Sequence, residues 1–239
     1  MLNGNDESQG PSVTDSRKEF YADLVELGGL AAAIQTVARR RSCATGFDEE
    51  FFSVSGDAFS AATFPSPRGD MRVNLGLGVR RFAVTFDSDQ EHVWASGSTE
   101  SLSELVGVMG SWINGIRLPE LHQQFPFMEY TRLALAYEEG NPAQVQWDIL
   151  IESEIYAPYR AMLAALRGSD EISRLFPYFS HWTLRLKGNG ADSDMPEICV
   201  QSAGDGGFSV WLSGNHETRQ ECADLEGLTP AVTALLRDL

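Results

Sequence analysis

The spacing of apolar residues switches between three-and-four and two along this chain, so no fold made of one kind of element satisfies it. Phe20, Leu24, Leu27, Ala31, Ile34 and Ala38 recur at helical intervals, behind a capping-box pattern, Ser16-x-x-Glu19. From Phe47 to Ser96 the period falls towards two, over the runs Phe51–Val54, Phe59–Phe64, Met71–Phe86 and His92–Ala95. These read as an antiparallel meander, with Phe82, Val84 and Phe86 alternating against polar neighbours. Helical spacing returns at Leu102, Leu105, Val106, Met109, Trp112 and Ile113, between a Ser98–Ser101 start and an Asn114-Gly115 stop.

The middle of the chain carries a self-similarity. Phe125–Leu135 aligns without gaps on Phe176–Leu186, each copy opening Phe-Pro after a short helical stretch (119–124 and 169–175). The residue before proline is pushed out of the helical region, so each Phe-Pro ends a helix and launches an extended run. Residues 142–152 and 154–167 look helical between the copies. Ile198–Val200 and Phe208–Leu212 flank Gly204–Gly207 as a hairpin. Thr229-Pro230 reads as a cap and first position of a terminal helix carrying Val232, Leu235, Leu236 and Leu239. The expected fold is α+β, antiparallel sheet with helices on one face, in two related strand-helix halves. The expected organisation is a disordered lead-in at 1–15, then 16–116 and 117–239 packed as one unit.

Charge narrows the partners. The 239 residues carry 34 acidic and 18 basic side chains, a net charge of -16. The imbalance is spread along the chain, which disfavours nucleic acid as ligand and favours a basic or neutral partner. Three cysteines at long spacings, Cys43, Cys199 and Cys222, fit a reducing compartment. The polar N-terminus lacks the features of a signal peptide, and no apolar run is long enough for a membrane span. A cytoplasmic protein without membrane partner is expected.

Specific catalytic signatures are absent: no phosphate loop, dinucleotide fingerprint, HExxH or nucleophile elbow occurs. No metal and no cofactor is expected. The triplets Asp87-Ser-Asp89 and Asp192-Ser-Asp194 fit turns better than cation sites. His216 and Cys222 suggest a thiol pair without any neighbour that would activate it. The Arg39–Arg41 triplet complements the negative end of its helix. His181 is the strongest acid-base candidate, with Tyr178 and Arg174 near it in sequence to support a developing anion. The alternative is an imidazole that bonds a backbone carbonyl and stiffens the turn. Ser180, His181 and Trp182 are the candidate binding residues.

The stretch Leu175-Phe-Pro-Tyr-Phe-Ser-His-Trp-Thr-Leu-Arg-Leu186 resembles the LFP-x-x-SH-x-x-L-x-F signature of an actinobacterial family whose members are labelled natural-product biosynthesis proteins. The similarity runs over the C-terminal half, from Trp147 through Leu212. Leu186 departs from an expected aromatic, and Lys187 stands where serine or arginine is common. The resemblance carries over Ser180 and His181, and it implies help in maturing a ribosomally made peptide of the lanthipeptide kind, beside a kinase and a lyase that build thioether rings. Three functions are therefore in play. The first is an accessory protein that binds a precursor peptide or modifying enzyme; the others are a cyclase-like enzyme using His181 and an acidic immunity or chaperone protein.

Overall fold

Two antiparallel sheets, each with helices against one face, make this an α+β protein. The computed structural model describes residues 19–41, 53–55, 58–89, 92–188, 196–203 and 206–237. The chain divides between Glu138 and Glu139 into two compact units.

The first unit begins with α1 (Ala22–Glu26) and α2 (Leu30–Arg40), where the spacing predicts one continuous helix. Gly28 and Gly29 break it, at φ +87° and +112°, in the left-handed region that favours glycine. A Cβ on Gly29 would stand 2.8 Å from that of Ala58, so the residue also admits the chain between the first two strands of the sheet. The Ser16 cap lies outside the described residues. A sheet follows in the order β1 (Ser53–Ser55), β2 (Ala61–Ser66), β3 (Gly69–Leu75), β4 (Phe82–Asp87), β5 (Val93–Thr99) and β6 (Met128–Glu129). The expected single run Met71–Phe86 is two strands parted by a Gly-rich loop at 76–81. Phe64, Met71, Val73, Phe82, Val84 and Phe86 face the core, met by Leu24 and Ile34 and by Leu105, Met109 and Trp112 of α3 (Leu102–Ile113). Ser101 caps α3 by accepting from the Glu104 amide.

Segment 117–138 belongs to this first unit, where the sequence assigns it to the second half. Leu118 and Leu121 of α4 (Leu118–Gln124), Met128 and Ala134 are buried in the first core, and β6 pairs with β5. A Cβ on Gly97 would meet the Phe127 carbonyl at 2.2 Å, so that pairing requires glycine. The first Phe-Pro launches only the two residues of β6. Thr131 Oγ1 then accepts from the Ala134 amide and opens α5 (Arg132–Glu139), rich in strong helix formers. The aligned copies therefore differ after the launch: helix in the first, strand in the second.

The second unit holds α6 (Pro142–Glu152), a 3-10 segment (Glu154–Tyr159), α7 (Arg160–Arg167) and a 3-10 turn (Ile172–Arg174). Its sheet comprises β7 (Phe176–Ser180), β8 (Thr183–Lys187), β9 (Ile198–Ser202), β10 (Phe208–Leu212) and β11 (Asn215–Cys222), paired consecutively with β7 and β11 at the edges. Trp147, Leu163, Leu166, Leu184, Leu186, Ile198, Val200 and Val210 form its core. The last helix, α8 (Leu225–Leu236), starts five residues before Pro230: Asp224 caps it by accepting from the Gly227 amide. Leu239 lies outside the described residues. No helix among the described residues is long and apolar enough to cross a membrane.

Candidate functional site

The sequence candidates converge on the hairpin β7–β8. Its register pairs Phe176 with Lys187, Tyr178 with Arg185 and Ser180 with Thr183, leaving His181 and Trp182 as a two-residue loop. Both have positive φ, +50° and +63°. A loop of this primed kind matches the twist of the strands and is ordinarily filled by Asn-Gly. Each non-glycine residue held there costs on the order of 1 kcal/mol or more. Trp182 is 62% exposed, so little burial offsets that cost.

The arms below the loop are rigid. Phe179 stacks on Tyr156 at 4.3 Å between ring centres and packs beside Tyr159, both from the 3-10 segment over the core face. On the opposite face the Tyr178 hydroxyl donates to both Glu197 oxygens, at 2.7 and 2.8 Å, and Arg185 Nη1 donates to the same carboxylate at 3.0 Å. Burial, reinforced by Glu197, pushes the Tyr178 phenol up to about 12. Burial also raises the Cys199 thiol beside this network, which leaves it protonated and unreactive near neutrality.

The structure separates the acid-base trio. Arg174 ends the 3-10 turn before β7, and His181 lies past the far end of that strand, seven residues on, a path of roughly 20 Å in extended chain. Tyr178 is engaged with Glu197. His181 is at the tip, exposed, with Ser180 Oγ at 3.2 Å from its Nδ1. Among the described residues no carboxylate bonds that imidazole, so the Ser180–His181 pair lacks the third group that orients a catalytic base. Ser180, His181 and Trp182, the candidate binding residues, are brought together at the tip.

The other sequence candidates are dispersed. His216 is exposed at the start of β11, while Cys222 at its end faces the second core, its thiol raised chiefly by burial. Asp87 pairs with Arg72 at 2.8 Å. Asp192, Asp194 and Cys43 lie outside the described residues. No group of three His, Cys, Asp or Glu residues suited to a metal occurs among the described ones. Arg39 and Arg40 end α2, and Arg41 bonds Ser103.

A second cluster went unseen in the sequence. Arg68, at the β2–β3 turn, lies over Trp94 at 4.5 Å and Trp112 at 3.9 Å. Its guanidinium donates to Glu138 at 2.9 Å and to the Ile116 carbonyl. Glu138 is only 10% exposed and also accepts from the Leu118 amide. His92 stacks on Tyr137 at 4.0 Å, and its Nε2 is buried with no partner among the described residues. Burial first, then Arg68, holds this imidazole below its usual range. A register shift at Phe86/Asp87 leaves Trp94 as the extra residue of β5, a bulge that turns it towards the cluster. Alternation alone sends it outward, and that is why the pattern hid it. The cluster is closed on itself and joins elements of one core.

An open groove of 460 Å³ runs along Thr85, Ser96, Ser98, Phe127 and Glu129, and another of 380 Å³ lies along α8 beside Pro230. Neither contains a candidate catalytic residue. Comparison with family models, curated proteins and solved structures found no match to this chain.

Proposed function

We propose that the protein acts by binding, as an accessory component in the maturation of a ribosomally made peptide, engaging the precursor or a modifying enzyme. One observation carries the non-catalytic part of this reading. The residues with acid-base potential on β7 and around it are dispersed or already engaged, whereas the rings of His181 and Trp182 are offered to solvent. The peptide-maturation setting rests on the resemblance of the 175–186 stretch. A cyclase needs a base oriented beside its substrate, and His181 at a hairpin tip has no such support.

Reconstitution of a lanthipeptide-type precursor peptide with kinase and lyase modifying enzymes, with and without this protein, tests the reading. Omitting the protein should lower product formation, and His181→Ala should leave at least about half of it, since loss of a general base costs roughly a hundredfold or more. Loss of product on that scale with His181→Ala in a folded protein would establish the cyclase instead. Product formation that ignores the protein would point to the immunity or chaperone role.

A further inference from the structure

The geometry points to the β7–β8 tip as a contact surface for a basic peptide segment, a partner assignment that rests on the binding reading above. Two large hydrophobic residues of the second unit stand out in exposure: Ile155 at 69% and Trp182 at 62%. Ile155 precedes Tyr156 on the 3-10 segment, and Tyr156 and Tyr159 clasp Phe179, three residues before Trp182. An aromatic stack on Phe179 therefore holds the arm of the hairpin three residues before the exposed Trp182. Rigid anchors lose little entropy on binding, and tryptophan is the side chain most enriched at binding hot spots.

Charge selects the partner. The face of an indole attracts ammonium and guanidinium groups. Glu154 immediately precedes Ile155, and its carboxylate is 89% exposed while pairing with Arg160 at 3.2 Å. Arg160 is engaged by Glu154 and the Ile151 carbonyl, and Arg185 by Glu197, so these local pairs are close to neutral. The chain as a whole carries -16. An acidic ligand meets that net negative charge, whereas a segment rich in Arg and Lys is drawn to it and can lay its cations on the exposed indole. The backbone supports the assignment. Glycine would sit at φ +63° without strain, so folding alone favours Gly over Trp at 182.

Calorimetric titration with a short synthetic Arg- and Lys-rich peptide, and with a Glu-rich peptide of equal length, tests the proposal. The wild type should bind the basic peptide and not the acidic one, more weakly as salt rises. Trp182→Gly should weaken binding at least about tenfold while its Tm holds or rises, and Ile155→Ser should weaken it less. Leu77→Ser, at an exposed apolar residue of the other unit, should bind as the wild type does. Equal binding by Trp182→Gly, equal binding of both peptides, or a lower Tm for Trp182→Gly would overturn the assignment. If the basic peptide fails to bind while product formation still depends on the protein, this surface is wrong and the accessory reading stands. If it binds through Trp182 while product formation ignores the protein, the accessory reading falls and the surface stands.

Discussion

Trp182 and His92 show two ways in which a single residue departs from what folding alone prefers. Trp182 accepts backbone strain with its ring in water; His92 accepts burial with a ring nitrogen unpartnered among the described residues. The second departure has a pH signature. His92 is held below 6.5, so as pH falls the unfolded chain takes up this proton before the folded protein does. Its contribution to stability is complete above pH 6.5 and is lost as pH falls through the lowered folded value. We expect the Tm of the wild type to drop more than that of His92→Phe, which keeps the stack on Tyr137, as pH falls from about 7 to about 5. Parallel declines for the two proteins would show that another group governs the acid limb.

Among the elements, the β2–β3 turn and α5 are tied by one side chain. Arg68→Met should keep much of the packing between Trp94 and Trp112 but leave the Glu138 carboxylate, 10% exposed, with the Leu118 amide and the more distant Arg117 guanidinium at 3.5 Å. Removing one partner of a largely buried pair costs several kcal/mol, and residual solvent access reduces that to about 2–3 kcal/mol here, read from urea unfolding. The elements themselves were largely legible, because α3 and β4 follow plain periodicity with ordinary caps. What escaped were choices made by single residues. Gly28-Gly29 splits a helix whose apolar stripe continues through it, and Asp224 starts α8 ahead of the more conspicuous Thr229-Pro230. Thr131 turns an aligned segment into helix. The Tyr178–Arg185 pairing was within reach: a two-residue loop at 181–182 fixes it by counting. His181-Trp182 lacks the glycine that announces such a loop. Glu197, brought in by β9, gave no local signal.

For the whole molecule, charge bears on the partner proposed above. A net charge of -16 excluded few functions alone; set beside the exposed rings of the β7–β8 tip, it describes a surface suited to a basic partner. Two compact units meet in sequence between Glu138 and Glu139, and each has its own hydrophobic core. The most direct measurement is the dependence of product formation on the amount of this protein in the reconstituted mixture, at fixed precursor and modifying enzyme. A binding component saturates the rate near molar equivalence with its partner when the components stand well above their Kd. A rate that stays proportional to trace amounts of the protein, over many turnovers of precursor per molecule, would contradict the account and make the chain a catalyst.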